Sequence, residues 1–176
     1  MSEGRDPALL ARFAGALRAT PGVTLMNVHA DPDHHRSVYS FLGGPEAVAA
    51  ATLALAEAVI EAVDLRGHRG EHPRLGALDV VPFVPLVDLG MDEAVDLARR
   101  VGPAIAGRHR VPVYYYGHAA TRVTRRRLPD VRGRGYEALA ERLRAGDTPD
   151  AGPARFDPRA GAVLVGARDI LVAFNV

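Results

Sequence analysis

The chain of 176 residues carries 22 basic and 21 acidic side chains, a formal charge of +1, and 48% hydrophobic residues. That size and apolar content suit one domain with its own core, and the balanced charge removes any general case for nucleic acid as a partner. Cysteine is absent, which excludes disulfides, thiolate metal sites and cysteine nucleophiles; every basic residue is arginine, which excludes a Schiff-base lysine and a lysine-dependent phosphate loop.

Asp6-Pro7 is a helix start, with aspartate as N-cap and proline in the first turn; Leu9, Leu10, Phe13 and Leu17 recur at helical spacing until Thr20-Pro21-Gly22 ends the run. Val23 to Ala30 and Arg36 to Gly43 read as two strands joined by the polar turn Asp31 to His35. Pro45 opens an alanine-rich helix to about Leu65, whose Val48, Leu53, Leu55, Val59, Ile60 and Val63 can cover a sheet. Broken by Glu46, Glu57 and Glu61, this region is too weak for a membrane span, and Met1 to Pro7 has no signal-peptide character, so a cytoplasmic setting is expected.

Leu78 to Leu86 is almost continuously apolar and suits a strand buried on both faces. Asp92 is placed to cap a helix running to about Arg108, and Val111 to Tyr116 supplies another strand, on which alternation puts one or two of the three tyrosines in the core. Gly117 to Gly135, rich in arginine and poor in apolar periodicity, reads as a surface connection with little regular structure. Tyr136 to Arg144 is a short helix, a glycine- and proline-rich loop follows, and Ala162 to Val165 and Ile170 to Val176 are strand-like. The class implied is α+β, with helices packed on one face of a mainly antiparallel sheet.

The densest chemistry lies in G-H-R-G-E-H-P-R-L-G, Gly67 to Gly76, whose glycines and proline forbid a helix and make a loop at the lip of the Leu78 strand. Histidine changes charge near neutral pH, so His72 is the first candidate for proton transfer; hydrogen bonding within the loop is the other use of the same ring. Glu71 and Asp79 stand where they can orient or charge-tune it, or simply be solvated. Arg36 and Arg74 suit anion anchoring, because a guanidinium grips a carboxylate with two parallel hydrogen bonds. Asp31, Asp33, His34 and His35 are metal-ligating types, but D-P-D turns use their carboxylates as backbone caps, and His68 and His72 cannot share a helix face across Gly70. No metal is expected. His29, His109 and His118 receive no role.

G-E-H-P-R-x-G-A-x-D-V-x-P-F, Gly70 to Phe83, resembles the signature of the glutamate formiminotransferase family, and the resemblance extends through Asp31 to Phe41, Val111 to Gly117 and Gly166 to Asn175. It implies the ferredoxin-like fold of that family's amino-terminal subdomain. It also implies transfer of a formimino group from formiminoglutamate to tetrahydrofolate, with His72 as general acid and base at a pKa near neutral. The folate-binding segment of the family aligns with Gly152, Pro153, Ala154, Arg155, Phe156, Asp157, Pro158, Arg159, Ala160 and Gly161, where Phe156 offers a ring face. Family members begin with a short apolar strand before S-E-G-R, so one strand fewer is expected here, leaving a neighbour with an open edge. They also continue past the position of Val176 into a subdomain that forms the opposite wall of the folate groove. The partners implied are formiminoglutamate, folate, and either further copies of the chain or a separately encoded carboxy-terminal subdomain, with neither nucleic acid nor membrane. The competing readings are a non-catalytic folate-binding or interaction module and a metal-assisted hydrolase.

Overall fold

The computed structural model describes residues 1–171. Asp6 accepts hydrogen bonds from the N–H groups of Ala8 (2.8 Å) and Leu9 (3.2 Å), starting helix α1, Pro7–Arg18, which buries Phe13, Ala14 and Leu17. Strands β1, Val23–Asp31, and β2, Arg36–Gly43, form an antiparallel hairpin with a bulge between Leu25 and Asn27. Helix α2, Pro45–Ala62, presents small side chains as well as Leu55 and Val59 to the core, so it packs closely against α1 and the hairpin. Then follow β3, Asp79–Phe83; α3, Met91–His109; β4, Val113–Gly117; α4, Leu128–Arg132; α5, Tyr136–Arg144; and β5, Val163–Ala167. Gly90, not Asp92, caps α3, with its N–H donated to Glu93 at 2.8 Å.

The class is α+β, but the strands do not make one mainly antiparallel sheet. β1 and β2 pair antiparallel, whereas β3, β5 and β4 form a parallel sheet in that order. Parallel neighbours require crossovers, and helices supply them. Nor are the helices confined to one face. Val113, Tyr115, Val163 and Val165 join the larger core, with Val101 and Ile105 of α3. Tyr114, Tyr116 and Leu164 join a second core with Val131 of α4 and Leu139 and Leu143 of α5. All three tyrosines are therefore buried, more than one-sided alternation allows.

The arginine-rich connection is also more ordered than its composition suggests, holding a 3-10 turn at Val123–Arg125 as well as α4. Arg125 is buried, pairing with Asp147 and Asp150 at 2.8 Å each and lying 4.8 Å from the Tyr114 ring centre. β3 is shorter than the apolar run Leu78 to Leu86, and Pro82 within it is exposed, as befits an edge. Ile170 and Leu171 are not in a strand, and the rest of the strand-like run to Val176 lies outside the described residues. No helix among the described residues is long and apolar enough to cross a membrane.

Residues Met1 to Glu3 lie between the two sheets. Ser37 N–H donates to the Met1 carbonyl (3.0 Å), the Met1 amino group to the Ser37 carbonyl (2.9 Å), and Ser2 N–H to the Ala77 carbonyl (2.8 Å).

Candidate active site around His72

The loop that carries His72 is held from below by two other histidines. His68 is buried, its Nε2 lies 3.0 Å from the backbone carbonyl of His35, and its ring stacks on that of His35 at 4.2 Å and 18°. His35 Nδ1 accepts the Gly4 N–H at 3.2 Å, so that nitrogen carries no proton; burial pushes both imidazoles toward their neutral forms. Gly70 lies against the His34 carbonyl, where a Cβ would come within 2.5 Å of the oxygen. Packing the loop onto the β1–β2 turn in this way leaves His72 half-buried beside β2.

One guanidinium nitrogen of Arg36, Nη1, stands 3.3 Å from both ring nitrogens of His72. The lone pairs of those nitrogens diverge, so the guanidinium lies across the ring instead of filling one acceptor site. Burial first, then Arg36 and Arg132, lower the His72 pKa from its ordinary 6.5 to about 4, with Asp79 opposing them and the Met1 ammonium reinforcing them. The expectation of a pKa near neutral is therefore corrected: this ring is neutral at pH 7 because two guanidinium groups and partial desolvation disfavour its cation.

Asp79 is buried in the left-handed region, φ 60°, with Oδ1 accepting Leu75 N–H at 2.7 Å and Oδ2 paired with Arg132 at 2.9 Å. It is a structural acceptor and the counter-charge of the site. Sequence reasoning passed over Arg132, which lies in the run read as an irregular connection. The available signal was L-P-D-V-R, a proline in a first turn with apolar residues three apart.

His72, Arg36, Asp79, Arg132, Tyr116 and Arg168 line the polar end of a groove of about 830 Å³ between β2 and β3. Its deeper, apolar part reaches Phe41, Val48, Leu55, Phe83 and Leu97. A neutral base, the Arg36 cation, the Arg132–Asp79 ion pair and an apolar floor thus adjoin one another.

Other residues singled out in the sequence lie elsewhere. Arg74 is buried, paired with Glu137 at 2.9 Å and 5.3 Å from the Tyr136 ring centre, so internal contacts occupy its guanidinium. Glu71 is exposed and borders a shallow depression with Arg5, Asp33 and Arg69, on another side of the loop. Asp31 caps its turn, accepting from the N–H groups of Asp33 (3.0 Å) and His34 (2.9 Å) and contacting His34 Nδ1 at 2.8 Å. No three histidine, aspartate or glutamate side chains converge as metal ligands among the described residues.

Gly152 to Gly161 lines no part of the groove. Phe156 packs 5.4 Å from Tyr136, Arg159 accepts Leu65 N–H through its carbonyl (3.0 Å), and Ala160 accepts Ala77 N–H (2.9 Å). The segment therefore abuts the His72 loop from the Arg74 side.

Over residues 1–168 the chain matches the family described as the formiminotransferase domain, N-terminal subdomain. It is 44% identical to the formimidoyltransferase-cyclodeaminase of Rattus norvegicus, over 99% of this chain and 32% of that relative. Identity to the glutamate formimidoyltransferases of Streptococcus pyogenes serotype M1 and Thermoplasma acidophilum is 38% and 41%, over 99% of this chain and 59% and 58% of theirs. The chain spans about a third to three fifths of the length of these relatives.

Proposed function

Because the chain belongs to the formiminotransferase family as an N-terminal subdomain, we propose that it supplies the catalytic histidine and one wall of a site where a formimino group passes from N-formimino-L-glutamate to tetrahydrofolate. The observation that carries this reading is His72, a neutral imidazole at the polar end of the groove with Arg36 and Arg132 beside it. The donor is a dicarboxylate, and guanidinium groups bind carboxylates by paired, charge-assisted hydrogen bonds. Arg36 is the anchor, while Arg132 is paired with Asp79 and Arg74 with Glu137.

As the folate nitrogen bonds to the formimino carbon, His72 takes the proton that nitrogen releases. It returns that proton to the glutamate nitrogen as the carbon–nitrogen bond to glutamate breaks, so the ring ends as it began. A low pKa makes His72 a weak base but its cation a strong acid, which favours the second step. A bound carboxylate beside Arg36 and Arg132 offsets the positive field and raises the pKa toward the range where both steps are efficient. Of the segment Gly152 to Gly161, Phe156 beside Tyr136 is the proposed folate contact, reached past Arg74 instead of within the groove.

The ferredoxin-like reading is supported by element order: α1, β1, β2, α2 and β3 match the α-β-β-α-β part of the β-α-β-β-α-β pattern.

The test is an NMR titration of His72 with and without N-formimino-L-glutamate. The donor is expected to raise the pKa from about 4. A pKa unchanged at saturating donor overturns the assignment of the groove as the donor site.

A further inference from the structure

His35 is constrained through its backbone, its ring and its neighbours at once. The backbone is left-handed, φ 50°, in the turn between β1 and β2. Its carbonyl is held by His68 Nε2 at 3.0 Å, and its ring lies on the His68 ring at 4.2 Å. A Cβ on Gly70 would lie 2.7 Å from the His35 Cβ, so the chain two residues before His72 rests directly on this side chain. His35 Nδ1 accepts the Gly4 N–H at 3.2 Å, and Glu3 Oε1 stands 3.6 Å from the same nitrogen.

These contacts fix both tautomers. His35 accepts at Nδ1, so its proton is on Nε2. His68 donates from Nε2, which leaves on Nδ1 a buried lone pair with no partner among the described residues. Neither ring can take a second proton as it stands. On His35 that proton would point at the Gly4 N–H, donor against donor; on His68 it would be buried without an acceptor.

We propose that His35 and His68 are a positioning pair for His72, a clasp that is closed while both rings are neutral and is opened by one proton on His35. The protonated Nδ1 gives up Gly4 and turns toward Glu3. That carboxylate stays in place, because its Oε1 already accepts the N–H groups of Arg5 (2.7 Å) and Asp6 (3.0 Å). The turn unstacks the ring from His68 and shifts the surface on which Gly70 rests, and His72 moves with its loop.

The surrounding charges set the pH at which this happens. Burial above all disfavours the His35 cation, Glu3 favours it, and Arg5 and Arg74 again oppose it. Burial likewise disfavours the His68 cation, its bond to the His35 carbonyl favours it, His35 and Arg74 oppose it, and Glu3 favours it. Arg74 is itself paired with Glu137. The clasp is therefore closed at pH 7 and opens below the ordinary histidine value of 6.5. His72 takes up its own proton near pH 4, so a response of its ring at higher pH reports movement of the loop.

The experiment follows the 176-residue chain by NMR from about pH 7.5 to 4.5 without substrate, with Glu3→Gln and His35→Asn beside it. Asparagine tolerates the left-handed backbone and offers the Gly4 N–H an oxygen, but it does not titrate. In the parent, the His72 ring resonances are expected to shift with the His35 midpoint. Hydrogen exchange at Gly70 and Glu71, corrected for the intrinsic effect of pH, is expected to quicken at least about 10-fold across it. Glu3→Gln removes the carboxylate that favours the protonated ring, so both responses move together to lower pH; His35→Asn abolishes them. A His72 ring that responds only to its own proton, an unchanged midpoint in Glu3→Gln, or the same response in His35→Asn overturns the proposal. So does loss of all resonances at the His35 midpoint, which makes the event global unfolding. The inference rests on the reading of His72 as the base only for its consequence in transfer. Failure of the donor to raise the His72 pKa overturns that reading and leaves these responses as they are.

Discussion

Arg36 Nη1 lies within 3.3 Å of both nitrogens of the His72 ring, making a permanent cation the nearest polar neighbour of the candidate base. Removing it separates the two arginines first considered as anchors. Arg36→Gln is expected to raise the His72 pKa and to weaken binding of a dicarboxylate, with stability changed by less than about 1 kcal/mol. Arg74→Gln is expected to cost about 1–3 kcal/mol, because a buried guanidinium and its contacts with Glu137 and Tyr136 are lost, while the His72 pKa stays in place. An NMR titration and a urea melt on each variant decide it; the reverse pattern makes Arg74 the anchor.

Asp79 has two tasks, which different substitutions separate. Alanine leaves Leu75 N–H and Arg132 without their acceptor and places a residue that disfavours φ 60° at the start of β3, a loss of roughly 2–4 kcal/mol. Asparagine tolerates that backbone and retains an acceptor for Leu75, so Asp79→Asn is expected to be the milder change. It also removes a neighbouring charge that raises the His72 pKa, which then falls below about 4. An unchanged His72 titration in Asp79→Asn would count against this view of its electrostatics.

Elements set by local physics are legible in the sequence. Asp6-Pro7 starts α1, the hairpin spans its two apolar runs, and the glycine-rich stretch carrying His72 is a loop against a strand. Long-range features were not legible. The burial of Tyr114, Tyr115 and Tyr116 depends on α4 and α5 closing the second face of the parallel sheet, and periodicity in β4 alone cannot report that. The pKa of His72 depends on Arg132, 60 positions away in sequence, which meets it only through the fold. Arg125 reads as a surface charge in an arginine run until Asp147 and Asp150 are brought to it.

The glycines differ enough for a direct contrast. A Cβ on Gly76 would lie 1.9 Å from the Ala162 carbonyl oxygen, where the segment before β3 bridges the one before β5 through Gly76 and Gly161. Neither backbone can retreat without breaking the parallel sheet, so Gly76→Ala is expected to abolish folding or to cost more than about 4 kcal/mol. Gly15 sits within α1 with nothing within 4 Å of its Cβ position, so Gly15→Ala is expected to stabilise the protein by about 0.5–1 kcal/mol. Thermal melts of the two variants check both signs together.

The pH dependence of stability follows from groups whose protonation is altered by folding. The Met1 amino group is lowered from 8.0 to about 6, and His72 from 6.5 to about 4, with His35, His68 and His109 lowered as well. In each case the unfolded chain binds a proton at a pH where the folded protein does not, so stability rises with pH across that interval. These contributions are complete above about pH 8 and are lost as pH falls, first through the amino group between 8 and 6, then through the imidazoles between 6.5 and 4. Tyr114 and Tyr116 act oppositely: burial raises each from 10.0 to about 12, so their contribution is present below pH 10 and is lost above it. The expected profile is a plateau from about pH 8 to 10 with a decline on either side. Urea midpoints measured from pH 4.5 to 10.5 test it, and His72→Gln is expected to flatten the acid limb without shifting the alkaline one. A midpoint constant from pH 8 down to 5 would show that these groups keep ordinary pKa values in the folded protein and would remove the electrostatic basis for a neutral His72.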